Sequence, residues 1–212
     1  MKFSENWLRT FIDSPLSTRE LADALTMGGI EVEEIHPAAD AFDRVVVAEV
    51  LAVERHPDAD RLSVCRVKAG GDPLQVVGGA PNVRAGIKVP FAQVGAQLPG
   101  GLKIKQAKVR GVESNGMLCS ARELGIAEDA GGLLVLANDA PVGQDIRQHL
   151  DLDDCVITIK PTPNRGDCLS MLGIAREVAA MTGAAMKQLP AGTVAEQIAD
   201  RIEISLEAGE AC

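Results

Sequence analysis

Short apolar segments separated by glycine and proline fill the centre of this chain, from about residue 44 to residue 135. The first, Val45 to Val53, is rich in β-branched residues and ends at the turn-forming run HPDAD. Further segments follow at Leu62 to Val67, Leu74 to Val77, Lys88 to Val94, Leu102 to Val109, Met117 to Cys119 and Leu133 to Leu136. This pattern predicts a small β-barrel or sandwich and argues against a parallel sheet with crossover helices.

Helical patterns lie on both sides of this block. Ser4 is placed to cap a first helix, and Ser17 with Glu20 forms a capping-box pattern for a second. Asp167 is expected to cap a long apolar helix that Gly183 closes. Each flank is too small to bury a core alone, so we expect the two flanks to pack together, with the β unit inserted between them.

The charge distribution is uneven along the chain. The formal net charge is -9, yet residues 40 to 150 carry 13 basic and 13 acidic residues, so the acidity lies in the flanks. From Pro73 to Val112 there is no acidic residue, and the cations there are Arg84, Lys88, Lys103, Lys105, Lys108 and Arg110. A contact with a polyanion is therefore expected on this side of the central block.

Several features argue against other classes of protein. No run of eighteen apolar residues occurs, which predicts a cytoplasmic protein without a membrane partner. The five cysteines lack C-x-x-C spacing, which is typical of free thiols. His36, His56 and His149 lack metal-ligand or catalytic spacing and are expected on the surface or in turns.

Long motifs then give a specific resemblance. The central block contains HPDADRLSVCRVKAG, VVGGAPNVRAG and KVRGVESNGMLCSARELGI, and the second flank contains PTPNRGDCLSMLGIAREVAAMTG. With the opening SENWLRTFID, these resemble the N-terminal part of the beta-subunit family of bacterial phenylalanyl-tRNA synthetases. The central block is shared by several tRNA-binding proteins, whereas the two flanking helices are specific to this family.

The resemblance implies an α+β fold in which a β-barrel of the oligonucleotide-binding (OB) type, at residues 40–150, binds tRNA. The barrel would be inserted into a small discontinuous α+β domain, formed by residues 1–39 and 151–190. Residues 191–212 would be a linker and the start of a further, truncated domain, where Ile202, Ile204, Leu206 and Ala208 alternate as in a strand.

The resemblance also implies partners and cofactors. The family enzyme joins phenylalanine to tRNA-Phe with ATP and Mg²⁺, as a heterotetramer of two alpha and two beta subunits. Its aminoacylation centre lies on the alpha subunit, so no catalytic residue, cofactor or metal is expected in this chain. The expected partners are tRNA, the alpha subunit and the remainder of the beta subunit, and not DNA.

The basic run GGLKIKQAKVRG is the first candidate site. On a strand, Lys103 and Lys105 would share one face, with Leu102 and Ile104 on the other, and the lysines could contact phosphates. Lys108 and Arg110 extend the pattern. The same cations equally fit a solvated face that protects a sheet edge.

A second set of candidates matches the family's tRNA-binding motif: Asn82, Ser114, Asn115, Met117 and Ser120. Such short polar side chains suit phosphate or ribose contacts, but they can also bond their own turns. Gly116 is expected to supply a backbone angle that other residues avoid. Phe42 and Phe91 are the only Phe, Tyr or Trp residues between 40 and 150 and are expected in the core, so any RNA contact should depend on shape and backbone rather than base stacking.

Two alternatives to the beta-subunit hypothesis stay open from the sequence. A freestanding tRNA-binding module would use the same β unit without partner subunits. A purely structural domain would contact protein instead of RNA.

Overall fold

The computed structural model describes residues 1–128, 131–188, 192, 195 and 197–210. These residues form strands β1 (Lys2–Ser4), β2 (Ile30–Pro37), β3 (Val45–His56), β4 (Ala59–Lys68), β5 (Leu74–Gly78), β6 (Lys88–Ala92), β7 (Ala107–Val109), β8 (Val112–Ser114), β9 (Met117–Leu118) and β10 (Cys155–Pro161). The helices are α1 (Glu5–Phe11), α2 (Thr18–Met27), α3 (Ile146–His149) and α4 (Met171–Thr182).

A three-stranded antiparallel sheet joins the two flanks of the chain. Its order is β1–β10–β2, and Ile157 lies opposite Phe3 on one side and Ile35 on the other. Phe3 and Ile157 belong to a buried cluster that also receives Leu8 from α1, Leu25 from α2 and Ile174 from α4. Residues more than a hundred positions apart therefore share one apolar core.

The caps of the first two helices are confirmed. Ser4 Oγ accepts a hydrogen bond from the backbone N–H of Trp7 at 3.0 Å, which satisfies an exposed donor of α1. At α2, Ser17 Oγ accepts from Glu20 N at 3.4 Å, while the Glu20 carboxylate accepts from Ser17 N at 2.8 Å. This reciprocal pair is a capping box.

The cap predicted for α4 is wrong, because the helix is capped by Ser170 and not by Asp167. Asp167 lies in a 3₁₀ turn at Gly166–Cys168, and Ser170 Oγ accepts from Gly173 N at 3.0 Å instead. Asp167 is unavailable because its carboxylate accepts hydrogen bonds from Arg165 at 3.2 and 3.1 Å. The predicted end is confirmed, since Gly183 has the left-handed φ of 72°.

The central block forms a five-stranded sheet in the order β5–β4–β3–β6–β9. All of its pairings are antiparallel, as the short strands and close turns predicted. Strand β3 is at the centre, where Val50 lies opposite Val67 of β4 and Val46 opposite Phe91 of β6. A separate two-stranded hairpin is made by β7 and β8.

The strand predicted from Leu102 to Val109 is not continuous. Gly100 and Gly101, with φ of 74° and 80°, turn the chain, and Lys103 forms a single bridge with Gln97. Leu102 is 50% exposed, so it does not share the buried position of Ile104, with which the sequence grouped it. The segment 133–136 likewise forms only a bridge between Leu136 and Lys88.

Two buried clusters fill the central block, one on each side of β3. Phe42 belongs to one cluster and Phe91 to the other, which confirms that both aromatic side chains are core residues. The guanidinium carbon of Arg147 lies 4.9 Å above the centre of the Phe42 ring. Neither ring is available as a stacking platform for a base.

The strand predicted near the end of the chain does not form among the residues described there. Ile202, Ile204 and Leu206 have no regular structure and are 90%, 83% and 71% exposed. An isolated extended segment lacks the inter-strand hydrogen bonds that stabilise a strand. Within the described ranges, none of the helices has the length and apolar character that crossing a bilayer requires.

Candidate nucleic-acid interface

Five of the six cations in the acid-free stretch are free on the surface. Arg84, Lys103, Lys105, Lys108 and Arg110 are exposed, and none makes an ion pair with another described residue. Lys88 differs, because its ammonium group donates to the carbonyl oxygen of Ala140 at 2.6 Å. Lys88 therefore has a structural role.

Lys103 and Lys105 lie on either side of a buried residue. Ile104 between them is 7% exposed, and its backbone exchanges hydrogen bonds of 2.8 Å with Ala96 O and Gly95 N. Because Ile104 points into the core, the two lysines are held on the opposite, solvent side of this segment. The predicted pairing of the two lysines on one face agrees with this arrangement, although the backbone is not a regular strand.

Lys108 and Arg110 belong to the β7–β8 hairpin. Arg110 and Gly111 form its two-residue turn, with φ of 45° and 85°. Lys108 lies directly opposite Glu113 on β8. The stretch without acids ends at Val112 in the sequence, but strand pairing brings an acidic residue beside Lys108.

Asn82 is committed to the protein itself. Its side-chain amide donates to Leu133 O at 2.9 Å and accepts from Leu133 N at 2.8 Å. Both polar atoms of the side chain are thus used to hold a backbone segment 51 residues away.

Ser114 and Ser120 are also bonded internally. Buried Ser114 Oγ accepts from Val77 N at 3.0 Å and donates to Gly116 O at 3.1 Å. Buried Ser120 caps the turn that follows it, since its Oγ and N both bond the Glu123 carboxylate, at 2.8 and 2.6 Å. These hydrogen bonds fit the turn-bonding alternative for both serines.

Asn115 and Met117 remain partly accessible. The backbone N–H of Asn115 donates to Gln75 O at 2.9 Å, whereas its side chain has no hydrogen-bond partner among the described residues. Gly116 between them has φ of 134°, the positive angle expected from the sequence. Met117 lines the groove described next.

A groove of about 790 Å³ lies beside this motif. Its lining is mostly apolar and includes Leu62, Cys65, Val77, Leu118 and Leu133, together with Gly78 and Gly79. Among the predicted residues only Met117 and Ser120 line it, whereas the basic run does not. Arg122, which sequence reasoning missed, contributes a cation to the lining, and its proximity to Ser120 in the sequence was the available signal.

Burial suppresses the reactivity of the neighbouring thiol of Cys119. Burial, and secondly the negative charge of Glu123, raise the pKa of Cys119 to about 12. A thiol with this pKa remains protonated at neutral pH and cannot act as a nucleophile.

A second polar cluster lies at the start of α4. Ligand atoms of Asp167, Cys168 and Glu177 lie within 4.8 Å of one another. The Arg165 Nη2 atom already donates to all three, at 3.1, 3.0 and 2.7 Å. The guanidinium supplies the positive charge that these groups require, so the cluster is a structural ion-pair network.

One histidine of the central block is buried. His56 lies at the turn, in agreement with the expectation of a surface or turn position, and it is 4% exposed. Both ring nitrogens make hydrogen bonds within the chain.

Comparison with known proteins identifies the class of domain to which the central block belongs. Residues 45–145 match the family model described as "Putative tRNA binding domain". The chain therefore contains a domain of the tRNA-binding class, with mixed α and β content.

The relatives of the whole chain are more specific. The chain is 60% identical to the phenylalanine–tRNA ligase beta subunit of Nitrosospira multiformis and 63% identical to that of Dechloromonas aromatica. Each alignment covers 100% of this chain but 27% of the relative. The resemblance to the beta subunit of phenylalanyl-tRNA synthetase is thus confirmed, and the chain spans about a quarter of the length of these relatives. They are parts of an aminoacyl-tRNA synthetase.

One solved structure matches about half of the chain. The MetRS-related protein of Pyrococcus horikoshii is 25% identical, with a TM-score of 0.36, and the match covers 47% of this chain and 85% of that one.

Proposed function

We propose that this chain is the N-terminal, non-catalytic module of a phenylalanine–tRNA ligase beta subunit, which supports aminoacylation through assembly and through contact with the tRNA backbone. The observation that carries the tRNA contact is the group of four exposed cations without ion pairs, at Lys103, Lys105, Lys108 and Arg110, inside a domain of the tRNA-binding class.

The domain organisation is part of this proposal. Residues 40–150 would form the OB-type barrel, inserted between residues 1–39 and 151–190 of a discontinuous α+β domain, with 191–212 leading into a further domain. Two contacts support closure of the barrel. Asn115 N donates to Gln75 O, and Val77 N donates to Ser114 Oγ, so the β8–β9 segment contacts edge strand β5. Strand β9 pairs with β6 at the opposite edge.

The mode of tRNA contact follows from the side chains available. Lysine and arginine on an exposed face bind phosphates without reading sequence. Phe42 and Phe91 are the only Phe, Tyr or Trp residues of the central block, and both are buried, so this block exposes no such ring for base stacking. Recognition would therefore depend on the shape and backbone of folded tRNA-Phe.

The remaining parts of the enzyme complete the proposal. The aminoacylation centre, with its ATP and Mg²⁺, would lie on the alpha subunit of a cytoplasmic alpha2-beta2 heterotetramer. This chain would contribute binding and assembly surfaces and no reacting group.

Charge reversal tests the tRNA contact. The K103E/K105E variant should bind a tRNA-Phe transcript about tenfold more weakly, and the slope of log K against log salt should fall by about two. A matched control is K2E/K160E, which reverses two exposed lysines on the three-stranded sheet. Equal affinities of the two variants would contradict the proposal.

A structural, protein-binding role is the second candidate function. The internal hydrogen bonds of Asn82, Ser114 and Ser120 favour it, because these side chains have little capacity left for RNA. In that case K103E/K105E would leave the Michaelis constant for tRNA unchanged in the reconstituted enzyme.

A further inference from the structure

His56 connects two hairpins of the central block. It is the last residue of β3, next to the Pro57–Asp58 turn that leads into β4. Its Nδ1 accepts a hydrogen bond from Asp58 N at 3.1 Å, and its Nε2 lies 3.0 Å from the carbonyl oxygen of Val109, 53 residues away. The side chain thus joins its own turn to the β7–β8 hairpin.

These two partners determine the tautomer of the ring. A backbone N–H can only donate, so Nδ1 must be the unprotonated nitrogen. A carbonyl oxygen can only accept, so Nε2 must carry the hydrogen that it donates to Val109. The neutral ring with hydrogen on Nε2 is the form that makes both bonds.

The contact point lies within the basic hairpin. Val109 lies between Lys108 and Arg110 in the sequence. Among the described residues, β7 pairs only with β8, and the bond from His56 is the one hydrogen bond that joins β7 to an element other than β8. Strand β8 is held separately, through Gln75 Nε2, which donates to Glu113 O at 2.8 Å, and through Ser114.

The turn itself benefits from an anchor. Arg110 adopts φ of 45°, a left-handed conformation that is unfavourable for a residue with a side chain. Such a conformation persists where surrounding contacts hold it. The His56–Val109 bond holds the residue next to this position.

We infer that His56 is a positioning residue for tRNA binding, which holds Lys108 and Arg110 in the orientation that contacts the tRNA backbone. The inference rests on the proposed function. Its physical basis is preorganisation: a hairpin held before binding loses less conformational entropy when its cations meet phosphates.

Two substitutions separate the two hydrogen bonds of the ring. In H56Q, the glutamine amide nitrogen takes a position similar to Nε2 and can still donate to Val109 O. In H56N, the shorter amide takes a position similar to Nδ1, so it can accept from Asp58 N but cannot reach Val109. The inference predicts that H56N weakens binding of a tRNA-Phe transcript about fivefold and lowers the salt slope, while H56Q stays within about twofold of the unmodified chain.

A double-mutant cycle with K108A/R110A distinguishes positioning from general damage to the fold. In the K108A/R110A background, H56N should change the affinity less than about twofold, because the cations that it positions are gone. A fivefold loss that persists in this background would overturn the inference, as would equal losses in H56Q and H56N. If H56N shows no cooperative unfolding transition in a thermal melt, the test uses H56Q in both backgrounds. A fivefold loss of tRNA affinity in H56Q would then overturn the inference.

The same measurements separate failure of the inference from failure of the proposed function. If K108A/R110A weakens binding but H56N does not, the inference is wrong and the tRNA contact stands. If K108A/R110A does not change the affinity for tRNA-Phe, the inference is wrong, because it requires these two cations to contact the tRNA backbone. The tRNA contact itself is then decided by K103E/K105E, whose lysines lie outside this hairpin.

Discussion

The side chain of Asn82 holds the backbone of Leu133 through both of its polar atoms, with hydrogen bonds of 2.9 and 2.8 Å to the carbonyl oxygen and the N–H group. Leu133 is a buried residue of the apolar cluster that contains Phe91. A motif residue that the sequence assigned to tRNA contact is thus a clamp between two distant segments.

Replacement of Asn82 should destabilise the fold. N82A leaves the N–H and carbonyl groups of Leu133 unpaired, and we expect a loss of about 3 kcal/mol in the free energy of unfolding in urea. N115A is the matched control, since the Asn115 side chain has no described partner, and it should cost less than about 0.5 kcal/mol. Equal stability of N82A and N115A would contradict the clamp.

Gly116 is expected to tolerate no side chain. Its φ is 134°, and an added Cβ would meet the ring of Phe91 and lie 2.6 Å from Ala92 O. Backbone strain and steric overlap together predict a loss of about 3–5 kcal/mol for G116A, measured by urea unfolding. The control G86A shares a positive φ of 85° but meets no atom within 4 Å. It should cost only about 1 kcal/mol, and a similar loss in both variants would show that overlap with Phe91 is unimportant.

Acid should destabilise the chain through two carboxylates. Hydrogen bonds from Ser17 N and, secondly, from its hydroxyl lower the pKa of Glu20 below its ordinary 4.5. Hydrogen bonds from Arg165, and then from Cys168, lower the pKa of Asp167 below 3.8. Because folding depresses both pKa values, their stabilisation is present above pH 4.5 and is lost as the pH falls through the folded-state values.

The expected result is a decrease in unfolding free energy below pH 4.5, which E20Q and D167N should each make shallower. D23N, which removes another exposed carboxylate of α2, serves as the control for the loss of a charge. A profile of equal steepness in E20Q, D167N and D23N would refute the assignment.

The thiols should differ in reactivity. Cys119 is buried and its pKa is raised to about 12, whereas Cys155 is partly exposed. Alkylation by iodoacetamide at mildly alkaline pH, followed by peptide mapping, should modify Cys119 at least about a hundredfold more slowly than Cys155. In concentrated guanidinium chloride the two rates should converge, and a persistent difference there would exclude burial as the cause.

Local signals predicted the helices well. Ser4 and the Ser17–Glu20 pair cap α1 and α2 as expected, and Gly183 ends α4. Each of these interactions joins residues within four positions, so the sequence neighbourhood contains all of the partners. Asp167 failed as a cap because Arg165 binds its carboxylate, and Arg165 is itself held by Glu177 on the next element.

The candidate site was less predictable from the sequence. The charge count correctly placed Lys103, Lys105 and Arg110 on the surface, because unpaired cations are rarely buried. It could not show that Lys88 bonds Ala140 O or that Glu113 lies opposite Lys108. Those contacts depend on strand register and on chain segments that are distant in sequence.

The sequence by itself determined most of the short strands, the caps of α1 and α2, the buried phenylalanines and the resemblance to the beta subunit, because hydrophobic period, capping chemistry and motif identity are properties of neighbouring residues. The tertiary structure alone decided which polar side chains remain available to a partner. Asn82 and Ser114 match a binding motif in the sequence, yet their hydrogen-bond partners are Leu133 and Val77. A polar group becomes free or committed only when folding brings a distant donor or acceptor within hydrogen-bond reach.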